Sequence, residues 1–112
     1  MTGVQTCALP IWKRPGALRP SWSNQGVSEG MSPSVFLGGV HWKAWDGRLA
    51  VGFLRGERIV ILQLDSAGKT VGTTTVPGLP GERIRSLVQG PDGALYVATD
   101  GGEIWRVAPR TR

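Results

Sequence analysis

Asp46-Gly47-Arg48-Leu49-Ala50-Val51 returns as Asp92-Gly93-Ala94-Leu95-Tyr96-Val97. The two stretches lie 46 residues apart, and Gly56-Glu57 returns at the same offset as Gly102-Glu103. In each copy Asp-Gly reads as a tight turn, because glycine reaches positive φ without a Cβ clash. The Leu-x-Val that follows alternates as a strand does. A second turn at Gly-Glu leads into another strand. A period in the forties built only from short strands is the signature of stacked four-stranded blades. One blade cannot bury both of its faces alone. The repeat therefore predicts an all-β fragment of a β-propeller, with neighbouring blades supplied from elsewhere.

Working outward from the repeat gives about seven strands. Val35-Phe36-Leu37 forms a short apolar run within 34–39. Residues 49–54 alternate. Residues 58–64 are nearly continuously apolar and suit a strand buried on both faces. Residues 70–76 are β-branched and suit an exposed outer strand. Residues 83–89, 95–99 and 103–107 supply three more. No window shows helical periodicity. The expected organisation is one complete four-stranded blade over 34–81 and three strands of the next over 82–108. Residues 12–33 read as a connector rich in Pro, Ser, Gly and Asn, and 109–112 as a polar, basic tail. An immunoglobulin-like sandwich also has about seven strands, but it does not usually repeat internally.

Residues 1–11 stand apart. They carry no charge and no periodicity, and they resemble the translation of a common sequencing-library adapter. They are excluded from fold reasoning as an artefactual leader. They do not read as a secretory signal, which needs a basic start and a longer apolar core. Cys7 is the single cysteine, so no disulfide framework and no cysteine metal site is expected. No stretch approaches the roughly 18 to 20 apolar residues of a membrane span. The net charge of +5 invites a nucleic-acid reading. It is set aside because the basic residues are scattered, with no dense run longer than Lys13-Arg14.

Arg83-Ile84-Arg85, then Gly90-Pro91-Asp92-Gly93-Ala94-Leu95-Tyr96-Val97, then Thr99-Asp100 together resemble the closing blade of the glucose/sorbosone dehydrogenases. Those are soluble six-bladed propellers that use pyrroloquinoline quinone. The preceding stretch is similar to that family's penultimate blade, through Trp45-x-Gly47-x-Leu49, Leu54-Arg55-Gly56-Glu57-Arg58 and Leu62-x-Leu64-Asp65. The resemblance covers roughly residues 22 to 108. The chain departs from the family pattern at Ser86, where many members have Asp, and in the spacing between Trp22 and Ser32-Pro33. The resemblance implies a sugar substrate, a periplasmic or secreted parent protein, and a calcium ion near the cofactor. It places the catalytic histidine and the calcium ligands in earlier blades, outside this chain. No catalytic residue is therefore expected here.

The cofactor carries three carboxylates and a planar ring, so its site needs cations and a flat surface. Arginine suits carboxylates because its planar fork can donate two parallel hydrogen bonds. Arg83 and Arg85 lie two apart on an expected strand and would leave the same face. The alternative is that they face solvent or pair with Asp92 or Glu82. The resemblance places Arg55 near the quinone, where a cation would stabilise developing negative charge. Its alternative is an ordinary turn arginine. Trp22 could stack on the ring, or Trp12 could serve instead, or neither. His41, the single histidine, does not match the family's catalytic position and reads as a surface or structural residue. Trp42, Trp45 and Trp105 read as packing residues. Asp100-Gly101-Gly102 is too short a turn to cage calcium. Two further readings remain open: a non-catalytic propeller that only binds partners, and a lactonase-type propeller needing channel-facing carboxylates.

Overall fold

The computed structural model describes residue 16 and residues 20–24 and 29–110. The leader 1–11 and Trp12 lie outside these residues. Among the described residues seven strands form two antiparallel sheets. The first sheet holds β1 (Met31–Phe36), β2 (Leu49–Phe53), β3 (Ile59–Leu64) and β4 (Thr70–Thr75), in that spatial order. The second holds β5 (Ile84–Gln89), β6 (Leu95–Thr99) and β7 (Ile104–Val107), also in order. Each is a meander, with short turns between most consecutive strands and a longer connection from β1 to β2. Glycine makes those turns possible: Gly47 and Gly93, at equivalent points of the repeat, have φ of 83° and 84°.

Burial explains the strand sequences. Ile59, Val60, Ile61 and Leu62 of β3 are all buried, because β3 is flanked by strands and covered on both faces. β4 is an edge strand, mostly exposed, and its sequence is threonine-rich accordingly. The main core lies between the sheets. Ala50, Ile59 and Ile61 from the first meet Ile84, Leu87, Leu95 and Val97 from the second, with Leu37 and Trp42 beside them. Each such aliphatic side chain contributes about 1.5–3 kcal/mol on full burial. A second cluster of Val51, Phe53, Val60 and Leu62 covers the opposite face of the first sheet. β5 runs against β1 and β2. At the closest approach a Cβ on Gly52 would stand 2.6 Å from Ile84 Cγ2 and 2.9 Å from Pro33 Cγ.

Three features differ from the sequence expectation. β1 begins at Met31, ahead of the expected run, with a register shift between Met31 and Ser34. Pro33, which has no N–H to donate, falls in that irregularity. A 3-10 helix spans Val40–Trp45, kinked at Lys43 (φ 56°, ψ −120°). Six residues are too few to show a helical period. β5 contains a bulge: Ile84 pairs with Thr99 but Ser86 pairs with Ala98. Arg85 and Ser86 thus stand opposite one residue, and both are exposed instead of alternating.

Candidate functional site

The strand directions divide the candidate residues between two ends of the sheets. At one end β1 and β5 begin, and the β2–β3 and β6–β7 turns close. Arg55 lies in the β2–β3 turn, whose backbone is held by the Glu29 carbonyl: Arg55 N–H donates at 2.7 Å and Gly56 N–H at 3.1 Å. Arg83 immediately precedes β5, and its carbonyl accepts the N–H of Asp100 at 2.9 Å. Arg85 occupies the bulge. Two close approaches tie these loops together. A Cβ on Gly81 would lie 3.4 Å from Glu57 Oε1, and one on Gly101 would lie 2.6 Å from Glu82 Oε1.

The arginines at this end are not equivalent. Arg58 is committed to the fold. Its Nε and Nη2 donate to the two oxygens of Glu29 at 3.1 and 2.9 Å. Its guanidinium carbon stands 4.7 Å from the centre of the Phe53 ring. The bonds from Arg58, then from Asn24, hold the Glu29 carboxyl below the ordinary glutamate range. Arg85 donates from Nε to Asp100 Oδ1 at 2.8 Å, the partner expected for neither arginine. That bond fixes one edge of the fork and leaves the Nη hydrogens without a partner among the described residues. Arg55 and Arg83 are exposed and have no ion pair among the described residues.

Trp22 occupies a different surface. Residues 20–24 cross the face of the first sheet turned away from the second, tied to the β3–β4 turn by Thr70 N–H to Ser21 carbonyl at 3.3 Å. The Trp22 ring meets Phe53 edge-on, 6.3 Å between centroids. Like Leu49 and Leu64, it is half-buried against the second cluster.

His41 lies at the other end of the sheets, in the loop between β1 and β2. Three donors converge there on the Gly93 carbonyl: Trp42 Nε1 at 2.9 Å, Gln89 Nε2 at 2.9 Å and, with its proton on Nε2, His41 at 3.0 Å. Gln89 also exchanges bonds with Gly38, accepting at 3.0 Å and donating at 2.6 Å. This knot fastens one sheet to the other and accounts for the histidine structurally. Beside it, Asp92 accepts from Ala94 N–H, Tyr96 hydroxyl and Arg106 Nε. Those bonds, in that order, lower its carboxyl below the ordinary aspartate range. The signal for the knot was Gln89, whose polar side chain ends a strand just before the Asp-Gly turn. Among the described residues no three His, Cys, Asp or Glu side chains group as a metal site. No helix there is long and apolar enough to cross a membrane.

The family model of the glucose/sorbosone dehydrogenases matches residues 10–106. The chain belongs to that family. Its curated relatives include the aldose sugar dehydrogenase YliI of Escherichia coli K12, 30% identical over 91 residues, covering 80% of this chain and 24% of the relative. The uncharacterized protein slr1608 of Synechocystis is 32% identical over 93 residues, covering 81% and 21%. A glucose dehydrogenase crystal structure superposes with a TM-score of 0.75 at 34% identity, covering 88% of this chain and 28% of that one. The soluble aldose sugar dehydrogenase of Escherichia coli, solved in its apo form, gives 0.64 at 30% identity, covering 71% and 23%. This glucose/sorbosone dehydrogenase chain thus spans about a quarter of the curated relatives it matches. Its two sheets are propeller blades, as the repeat predicts.

Proposed function

We propose that this chain supplies the carboxylate-binding part of a pyrroloquinoline quinone site in a sugar dehydrogenase. The observation that carries the reading is the shared placement of Arg55, Arg83 and Arg85 at one end of two packed blades in a member of this family. The residues fit the group in kind. Arg55 and Arg83 are exposed guanidiniums with no acid committed to them among the described residues, and Arg85 keeps its Nη donors. A tricarboxylate needs such donors.

When bound, the cofactor supplies the two-electron acceptor for oxidising a sugar at a hydroxyl-bearing carbon. The chain's own residues bind and orient. Arg83 and Arg85 take carboxylates, and Asp100 sets the plane of the Arg85 fork through Nε. Arg55 places a fixed positive charge where negative charge develops. Trp22 serves as the cover of Phe53, since its ring is already edge-on to that side chain. The base for the sugar hydroxyl and the calcium ligands come from outside this chain. His41 is at the far end of the blades, bonded to Gly93. The parent protein works in the periplasm or outside the cell on an aldose-type sugar.

Equilibrium dialysis of pyrroloquinoline quinone against the chain tests this. The Arg83→Ala, Arg85→Ala double variant should retain at least about tenfold less cofactor than the parent chain. Equal retention by the two would remove the assignment.

A further inference from the structure

The β2–β3 turn that carries Arg55 is built on Glu29. The Glu29 carbonyl accepts Arg55 N–H at 2.7 Å and Gly56 N–H at 3.1 Å. The Glu29 carboxylate lies against the same turn, because a Cβ on Gly56 would stand 2.5 Å from its Oε2. Next to it the Gly30 carbonyl takes Leu54 N–H at 3.0 Å, and the Arg58 carbonyl takes Phe53 N–H at 3.0 Å. Every N–H from Phe53 to Gly56 is therefore bonded. The Glu29 side chain is itself fixed. Arg58 holds both of its oxygens, and Asn24 Nδ2 donates to Oε1 at 3.1 Å. Phe53 supports the Arg58 guanidinium, and Trp22 stands edge-on to Phe53. Contacts thus lead from Trp22 through Phe53, Arg58 and Glu29 to the root of Arg55.

Two observations separate this strut from an ordinary surface ion pair. Glu29 keeps only 16% of its side-chain surface exposed. Its charge is taken up by Arg58, so the carboxylate that touches the turn is not drawn to Arg55. The second observation is backbone strain. Glu57, in the same turn, holds φ 54°, a left-handed conformation that residues with a Cβ rarely adopt. Such strain persists where the surroundings over-determine it, and it gathers at ligand clamps. The bonds from Glu29 and Arg58 supply those surroundings. Arg55 itself is exposed, and a side chain whose root is already fixed gives up less freedom when it grips a ligand.

We propose that Glu29, clamped by Arg58, is a positioning residue for Arg55. It sets the backbone from which Arg55 reaches an anionic cofactor and touches no ligand itself. The inference rests on the cofactor reading above.

Three variants of the full chain test it. Glu29→Ala removes the strut. Glu29→Gln keeps an acceptor for Arg58 without the charge. Gly56→Ala wedges the carboxylate from the turn with no change of charge. In the free chain the Arg55 and Gly56 amide signals should move in Glu29→Ala and Gly56→Ala, while the Trp42 indole signal stays in place and reports an intact fold. When pyrroloquinoline quinone is added to these two variants, the Arg83 and Arg85 Nε–H signals should still shift and the Arg55 signal should respond weakly. Equilibrium dialysis should find cofactor retention reduced about tenfold, the worth of one charge-assisted hydrogen bond. Glu29→Gln should fall between these variants and the parent, and it carries the test if Glu29→Ala unfolds. Weakening of all three arginine responses alike, or an Arg55 response and retention equal to the parent's, would overturn the inference and leave the cofactor reading standing. Absence of any arginine shift in the parent chain would overturn the cofactor reading and this inference with it.

Discussion

Gly52 has no room for a side chain because Ile84 of the neighbouring blade lies across it. A Cβ there would come within 2.6 Å of Ile84 Cγ2 and 2.9 Å of Pro33 Cγ. The contact joins the second strand of one blade to the first strand of the next. It sets how near the two blades pack, and with that how near the β2–β3 turn stands to the start of β5.

Gly52→Ala should therefore destabilise the chain by about 1–3 kcal/mol through overpacking. The companion Ile84→Ala, which removes the Cγ2 methyl group facing the new Cβ, should relieve the clash, so that the double variant recovers part of the two single losses summed. Chemical denaturation of the three variants checks the pair. No recovery in the double variant would mean that the clash is not with Ile84.

Gly47 and Gly93 offer a matched comparison. Their φ values are 83° and 84°, so each alanine bears the same left-handed penalty of about 1–2 kcal/mol. Their surroundings differ. Nothing lies within 4 Å of a Cβ on Gly47, whereas one on Gly93 would meet the His41 ring at 2.6 Å. Gly93→Ala should cost more than Gly47→Ala and should release the His41 ring, shifting its proton signals. Equal costs would show that the ring moves aside freely.

Acid should loosen both ends. Glu29 and Asp92 have folded-state values below their unfolded ones. The stability each contributes is fully present above its unfolded value, about 4.3 for Glu and 3.9 for Asp. It is lost as pH falls through the folded values. Stability should be flat from neutral pH down to about 5 and then decline. Arg58→Met should shrink the Glu29 share of that decline, which thermal melts across pH will show.

Asp100→Asn leaves the fold almost unchanged. Arg85 and Asp100 keep 56% and 42% of their side-chain surface exposed, and such pairs contribute about 0–1 kcal/mol. The expected effect is on the fork: the Arg85 Nε–H signal should move and broaden while Tm shifts little. A large fall in Tm would make the pair structural.

The proposed function expects no dye-linked sugar oxidation from the chain by itself, because it assigns the base and the calcium ligands to the rest of the parent protein. Measurable turnover by the purified 112-residue chain would contradict that division of labour.

The blades were legible because turn chemistry and alternation are local signals. Asp46-Gly47 and Asp92-Gly93 announced their turns, and the apolar run before Gln63 announced a strand covered on both faces. What stayed hidden depended on distant partners. The bulge at Arg85 is set by register against Ala98, and it removes the simple alternation that two arginines two residues apart suggest. The 3-10 helix at Val40–Trp45 has no period to read, and it exists because Trp42 fills the space between blades and bonds Gly93. The Arg58–Glu29 pair joins residues 29 apart, with β1, the 3-10 helix and β2 between them, so nothing near Arg58 in sequence pointed to it. Arg55 and Arg83 were visible as residues, but their common end emerged only from the strand directions.

The most direct measurement follows the arginine Nε–H signals of the chain by NMR as pyrroloquinoline quinone is added. The account expects the Arg55, Arg83 and Arg85 signals to shift together and saturate, while the Gly93 amide and the Trp42 indole stay in place. Shifts confined to the Gly93 end, with the three arginine signals unmoved, would contradict it.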